Sequence, residues 1–306
     1  MTSQANVTWI AADWGTTNLR IWALDTAGNT IAHRCSAKGM GTLAKNEFEA
    51  ALLELVDDLV KADGTTPVVV CGMAGSRQGW AEAPYKTTPC APPSIDDATI
   101  VNATDPRLDV RILPGIKQIT PADVMRGEET QITGFLADTP NFSGTLCLPG
   151  THTKWVALEN GVVTRFRTFM TGETFALLSK QSVLRHGLSD RDLDADAFKS
   201  ATMDIFKTPQ ALAAELFGVR AAGLIADLSP DAARGRLSGL LIGAELAAVK
   251  DDFDLSAVTI LGSDHIAKAY ASALGCLGYE ATPLDAETIT LKGLALAYSS
   301  YSKAPS

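Results

Sequence analysis

Apolar and polar positions alternate in short blocks at the start of the chain and fall into longer helical periods further on. Val7 to Ala12 is an apolar run, Asp13-Trp14-Gly15-Thr16-Thr17 interrupts it, and Leu19 to Leu24 resumes it. So short an interruption between two strand-like runs predicts a hairpin, and Gly28-Asn29 followed by Thr30 to Cys35 predicts a third strand. Glu47 to Val60 has helical periodicity, and Pro67 to Cys71 is a continuous apolar run of the kind that forms a buried parallel strand. The proline-rich stretch from Ala81 to Pro93 predicts little regular structure, Arg111 to Leu113 a short strand, and residues 121–137 a second helix.

The pattern then restarts. Thr145 to Leu148 reads as a strand, Pro149 to Thr153 as a turn, Lys154 to Leu158 as a returning strand, and Asn160-Gly161 as a hairpin turn into Val162 to Phe169. Residues 172–250 read as mainly helical, most clearly Leu237 to Val249. Val258 to Leu261 reads as a strand leading through Gly262-Ser263-Asp264 into a helix over His265 to Leu274, with a last apolar helix near Glu287 to Tyr298. Strands alternating with helices predict an α/β fold. The segments GTTNLRIWALD from Gly15 and GTHTKWVALE from Gly150 share glycine, threonine, a basic residue and an Ala-Leu-acid ending, 135 residues apart with one residue of slippage. This weak repeat predicts two related lobes, each opening with a β-hairpin. The expected division is 1–140 and 141–306, with the last helix free to cross back to the first lobe.

Composition narrows the function. The chain has 306 residues, 46% of them hydrophobic and 20% charged, enough to give each of two lobes a core. A formal charge of -9 with no dense Lys/Arg run opposes nucleic-acid binding. Five scattered cysteines with no CxxC spacing suggest neither a disulfide framework nor a zinc site. The N-terminal residues lack the basic and apolar regions of a secretory signal, and no run approaches the ~18 apolar residues that span a bilayer. The expectation is a cytoplasmic protein without membrane partners, and the apolar terminal helix is compatible with a homodimer.

Candidate chemistry concentrates in the two turns. In Asp13-Trp14-Gly15-Thr16-Thr17-Asn18 the glycine allows close backbone approach to a phosphate, hydroxyls and main-chain N–H groups can bind it, and Asp13 can hold a hydrated Mg²⁺. Gly150-Thr151-His152-Thr153-Lys154 repeats the arrangement without the aspartate. Lys154 can neutralise phosphate charge, while His152 reads first as a hydrogen-bonding or packing residue and second as a base. Gly262 and Ser263 join a strand to a helix N-terminus that suits a nucleotide or is simply capped by Ser263 or Asp264. Gly239 and Gly243, four apart on one helix, require close packing by another helix or by an adenine ring. Glu128 and Glu129 open the second helix; one of them can accept a hydroxyl proton, and adjacent helical residues point about 100° apart, so both cannot face one reactant. Arg20, Arg77, Arg126 and Arg167 lie in or beside these segments, and a planar guanidinium suits the carboxylate of an acidic substrate.

Taken in order, DWGTTNLRIW (13–22), CGMAGSRQGW with APY (71–85), LPGI (113–116), VMRGEETQITG (124–134), LPGTHTKWV (148–156), FRTFMTGE (166–173) and SGLLIGAE (238–245) resemble the 2-dehydro-3-deoxygalactonokinase family of the actin, hexokinase and Hsp70 superfamily. The resemblance implies a two-lobed actin-like, ribonuclease H-like ATPase fold with its active site in the interlobe cleft. It also implies Mg²⁺- and ATP-dependent phosphorylation of 2-dehydro-3-deoxy-D-galactonate at its terminal hydroxyl, with Asp13 at the metal, the two Gly-Thr turns at the phosphates and Glu128 or Glu129 as base. The gluconate epimer is an alternative acceptor. The Arg-Gly-Glu-Glu segment also resembles exopolyphosphatases, but that substrate favours a basic channel and this chain is acidic. A nucleotide-gated repressor would need a helix-turn-helix extension, for which the residues before Asp13 leave no room.

Overall fold

The computed structural model describes residues 7–190 and 193–301, so two residues of the stretch read as helical lie outside the described residues. Strands β1 (Trp9–Trp14) and β2 (Leu19–Leu24) pair antiparallel around the first turn, and β3 (Thr30–Ser36) adds to β2. Helix α1 (Phe48–Val56) supplies the crossover that a parallel pair requires, and β4 (Thr66–Gly72) returns beside β1. Residues Val68 to Cys71 are all buried, which is why that strand is apolar throughout rather than alternating.

Five further strands follow: β5 (Lys86–Thr87), β6 (Thr99–Val101), β7 (Leu108–Ile112), β8 (Ile116–Gln118) and β9 (Asp123–Met125). The helix expected over 121–137 is shorter, because Asp123–Met125 pairs antiparallel with β8 instead. Gly127, at φ 105, then turns the chain into α2 (Glu128–Leu136).

The second half repeats the opening with β10 (Gly144–Leu148), β11 (Thr153–Glu159) and β12 (Val162–Phe169). Asn160 and Gly161 at its second turn have φ 50 and 75, the left-handed pair that an Asn-Gly hairpin adopts. Helices α3 (Thr171–Gln181), α4 (Ala195–Lys207), α5 (Leu212–Ile225) and α6 (Pro230–Val249) precede β13 (Ala257–Gly262), α7 (Asp264–Cys276) and β14 (Glu280–Asp285). The chain then enters α8 (Ala286–Tyr301). Strand β14 escapes the sequence pattern because it is largely exposed and shows no alternation.

Contacts gather these elements into two compact units. One takes the chain up to Phe142, Glu159–Arg165 and the segment from Ala286; the other takes Ser143–Leu158 and Phe166–Asp285. The main sheet of the first runs β3-β2-β1-β4-β7-β6, with a side sheet β5-β8-β9, and the second sheet runs β12-β11-β10-β13-β14. In each, an antiparallel meander ends on a strand (β1 or β10) that also pairs parallel with the next one, β4 or β13. This shared order is the mixed α/β, actin-like topology that the resemblance implies.

In the first unit, one sheet face packs Ile10, Ile21, Val68 and Val70 against Phe48, Leu52 and Val56. The other packs Trp9, Trp22 and Val69 against Leu294 and Ala297 of α8, with Trp9 and Tyr298 stacked at 4.4 Å. The apolar face of α8 is thus used inside its own unit and is no argument for a homodimer. Helix α8 also grips α2 at two glycines: a Cβ at Gly134 would lie 2.0 Å from Ile289 O, and one at Gly293 would lie 2.1 Å from Thr130 O.

In the second unit α6 lies against α4 along Gly235, Gly239 and Gly243, where added Cβ atoms would meet Asp194 O at 2.3 Å, Phe198 O at 2.3 Å and Thr202 O at 2.7 Å. Gly239 and Gly243 are therefore not adenine-binding positions; the close neighbour that their spacing demands is α4. Because backbone carbonyls cannot yield as a side-chain tip can, Gly239→Ala is expected to cost about 1–3 kcal/mol. A thermal melt at fixed pH checks it, and an unchanged midpoint would contradict it.

Candidate active site

Asp13 sits on β1 opposite Arg20 of β2 on one side and Cys71 of β4 on the other. Its Oδ2 accepts a hydrogen bond from Arg20 Nη2 at 2.6 Å, and Cys71 Sγ approaches Oδ1 at 3.7 Å. Burial pushes the Asp13 carboxyl up; Arg20 pulls it back, and nearby Glu128 pushes it further up. Arg20 is itself held by Glu287 of α8 at 3.3 Å. It is committed to an acid on each side, so the structure gives it a role in orienting Asp13 rather than an open fork for a substrate.

The turn beyond Asp13 is braced from outside. Gly39, Met40 and Gly41 donate backbone hydrogen bonds to Thr17 O, Gly15 O and Thr16 O at 3.1, 3.0 and 2.8 Å. A Cβ at Gly39 would lie 2.2 Å from the carbonyl carbon of Thr17, so only glycine permits this contact. Thr16, Thr17 and Asn18 remain exposed. The Gly39–Gly41 brace was not anticipated, although two glycines flanking one residue after a strand is the signal that could have found it.

Two glycines bring the acidic helix to this strand end. Gly72, at φ 87, lies against Trp14, where a Cβ would sit 2.6 Å from the carbonyl oxygen, and a Cβ on Gly127 would be 3.5 Å from Gly72 Cα. Both glutamates of α2 turn back on the preceding backbone. Glu128 Oε2 accepts from Arg126 N at 3.1 Å, and both oxygens of Glu129 accept from Gly127 N at 2.7 and 2.9 Å. Glu129 is 1% exposed, whereas Glu128 is only partly buried and is the one whose charge acts on Asp13.

Burial, with the Glu128 charge second, pushes the Glu129 carboxyl up to about 8. The folded protein thus holds a proton there that the unfolded chain releases above about 4.5. The associated stability is complete below that value and is lost as pH rises through about 8. Glu129→Gln is accordingly expected to lose less thermal stability than the parent between pH 5 and pH 9. Parallel melting curves across that range would contradict the assignment.

The other arginines divide clearly. Arg126 is buried, donates from Nη2 to Ala83 O at 2.7 Å and stacks on Tyr85 at 4.3 Å, while its Nε and Nη1 are enclosed without a partner. It clamps the 73–85 loop and offers no open face to a substrate. Arg167 forms a surface ion pair with Asp252 at 3.0 Å in the second unit. Arg77 is exposed, and of the four it alone lacks an intramolecular ion pair or hydrogen bond among the described residues.

In the second unit, the Gly150 turn joins β10 to β11, with Leu148 and Lys154 as the closing pair. Space above Gly150 is open, since a Cβ there would meet nothing within 4 Å. Thr151 is exposed, and Lys154 is buried with Nζ donating to His152 O at 3.2 Å. His152 Nε2 pairs with Glu173 at 2.6 Å, fastening the turn to the start of α3. Gly262 packs on Pro149, where a Cβ would lie 2.9 Å from its Cγ, while Ser263 is exposed at the start of α7 and caps it with no side-chain hydrogen bond.

These features fit Mg²⁺ and a nucleotide. Among the described residues no cluster of three or more His, Cys, Asp or Glu could hold a metal alone, and Mg²⁺ characteristically takes one or two carboxylates and completes its shell with phosphates and water. Asp13 is such a carboxylate, and the open space at Gly150 admits a phosphate.

A model of the 2-keto-3-deoxy-galactonokinase family matches residues 13–297. A probable 2-dehydro-3-deoxygalactonokinase of Rhizobium meliloti (strain 1021) is 39% identical over 296 residues, covering 94% of this chain and 96% of that one. The 2-dehydro-3-deoxygalactonokinase of Escherichia coli (strain K12) is 35% identical over 289 residues, with 94% and 96% covered. A crystal structure of a candidate 2-dehydro-3-deoxygalactonokinase from Sinorhizobium meliloti superposes with a TM-score of 0.88 at 37% identity, covering 97% of this chain and 100% of that one. Both hairpin turns and the acidic helix fall inside the matched residues, and the chain belongs to the 2-keto-3-deoxy-galactonokinase family.

Proposed function

We propose that this chain transfers the γ-phosphoryl group of ATP to the terminal hydroxyl of 2-dehydro-3-deoxy-D-galactonate, giving the 6-phosphate used in galactonate catabolism. The observation that carries the reading is the packing of Gly127 on Gly72, which brings the start of the acidic helix to the end of the strand beside Asp13 and its exposed Gly-Thr turn, in a chain of this family.

Mg-ATP supplies the electrophilic phosphorus and neutralises charge on the transferred group. The chain supplies the rest. Asp13, oriented by Arg20, holds the metal, and the hydroxyls of Thr16 and Thr17 and the amide of Asn18 bind phosphate oxygens. In the second unit Gly150 and Thr151 contact the phosphates and Lys154, buried with Nζ on His152 O, supplies positive charge behind the turn, with Gly262 and Ser263 toward the nucleoside. Glu128 accepts the proton of the attacking hydroxyl; Glu129, with both oxygens on Gly127 N–H, fixes the turn that aims it. Arg77 is assigned the sugar carboxylate, because its guanidinium is the uncommitted one. The reaction belongs in the cytoplasm, where ATP is available; among the described residues no helix is long and apolar enough to cross a membrane.

The test is ADP release from Mg-ATP with 2-dehydro-3-deoxygalactonate, with its gluconate epimer, and with no sugar. Release that depends on the galactonate-derived acid is expected, and Arg77→Ala should raise its KM about tenfold or more by removing a charge-assisted contact. Equal release without sugar would reject the kinase, and preference for the epimer would reassign its substrate.

A further inference from the structure

Outside the groups already given a role, one buried carboxylate stands out. Glu245, on α6, is 3% exposed and accepts hydrogen bonds from three separate elements. Trp155 Nε1 of β11 donates at 2.7 Å, Tyr270 OH of α7 at 2.9 Å, and Thr171 Oγ1, at the first residue of α3, also donates. Tyr270 in turn bonds Thr153 Oγ1 at 2.8 Å, and Thr153 and Trp155 are the first and third residues of the strand that leaves the Gly150 turn.

Thr171 begins the segment that clasps the other side of that turn. A Cβ at Gly172 would lie 2.2 Å from Gly150 O and 3.0 Å from Thr151 O, so the two backbones are in direct contact. Glu173 N donates to Thr151 O at 2.9 Å, and the Glu173 side chain pairs with His152. The turn is thus held between the start of β11 and the start of α3, and Glu245 is bonded to both. Its carboxylate is well suited to this task, because it only accepts and here it meets three donors. An amide would turn its own N–H toward one of them.

We propose that Glu245, acting through Thr171, is the positioning residue of the second phosphate turn and sets the backbone of Gly150–His152 for the nucleotide. The inference rests on the reading that this turn contacts ATP phosphates. It also explains two segments that carry the family resemblance, MTGE and SGLLIGAE, which are bonded to each other through Thr171 and Glu245.

The test measures KM for ATP, KM for the sugar acid and the Kd of ADP in full-length Glu245→Gln, Thr171→Val and Thr171→Ser, with Thr151→Ala and Gly150→Val reporting on the turn itself. Misplaced phosphate contacts are expected to raise KM for ATP and Kd for ADP about tenfold in Glu245→Gln and Thr171→Val, with KM for the sugar acid unchanged. Thr171→Ser should restore the parent values. Combining Glu245→Gln with Thr171→Val should be no worse than Glu245→Gln alone, since both remove one unit. If Glu245→Gln does not fold, Thr171→Val against Thr171→Ser still decides the matter. Nucleotide affinity within twofold of the parent in folded Thr171→Val, with Gly150→Val impaired, would overturn the positioning role alone. Unimpaired affinity in Gly150→Val and Thr151→Ala would overturn the phosphate reading of the turn and the proposal with it.

Discussion

Glu128→Gln is expected to lower kcat by about 10²- to 10⁴-fold, the range of a lost general base, with KM for ATP and for the sugar acid little changed. The amide keeps the size of the side chain and removes only its ability to take a proton. The contrast with Glu129→Gln makes the prediction sharp. Glu129 has the more perturbed carboxyl, which would ordinarily favour it as the base. Geometry argues otherwise, because it is buried with both oxygens on the Gly127 amide, while Glu128 is only partly buried. Glu129→Gln should therefore cost less than about tenfold, through the aim of the helix rather than through proton transfer. Steady-state kinetics of both variants decide it, and a reversal of the two losses would make Glu129 the base.

Asp13→Asn is expected to reduce kcat/KM for Mg-ATP by about 10²- to 10³-fold, the scale of removing one group that stabilises charge in the transition state. The fold should survive. The amide is isosteric with the carboxylate it replaces in β1, and Arg20 would retain Glu287. The Mg²⁺ concentration giving half-maximal rate should rise, because a neutral amide is a poorer ligand for a hard cation. Activity within a few fold of the parent, at unchanged Mg²⁺ dependence, would place the metal elsewhere.

The opening hairpin, the buried β4 and the second hairpin were legible because each has an apolar pattern bounded by turn residues, and Asn160-Gly161 adopts the positive φ pair that its sequence requires. The pairing of α4 with α6 was half legible. Two glycines four apart demanded a close neighbour, but the choice between a helix and an adenine ring depended on α4, which is distant in sequence. Of the stretch from Lys86 to Met125 only the end of β7 was legible, as the short strand expected over Arg111 to Leu113; the other strands are two or three residues long and their pairing is set by tertiary contacts. At the site, residue types pointed to Asp13, the glutamates and the arginines. What each arginine does depended on partners far along the chain, Glu287 for Arg20, Ala83 and Tyr85 for Arg126, and Asp252 for Arg167. Glu245 gave no signal of its own, because a lone acid on an apolar helix reveals its three donors only once β11, α3 and α7 are folded around it.

The most direct test of the account is ³¹P NMR of a reaction containing the protein, Mg-ATP and 2-dehydro-3-deoxygalactonate, followed to completion. One new phosphomonoester coupled to the C6 protons is expected, formed in step with ADP, with no inorganic phosphate beyond the control without protein. Inorganic phosphate as the main product, or a phosphoryl group on any other oxygen of the sugar acid, would contradict it.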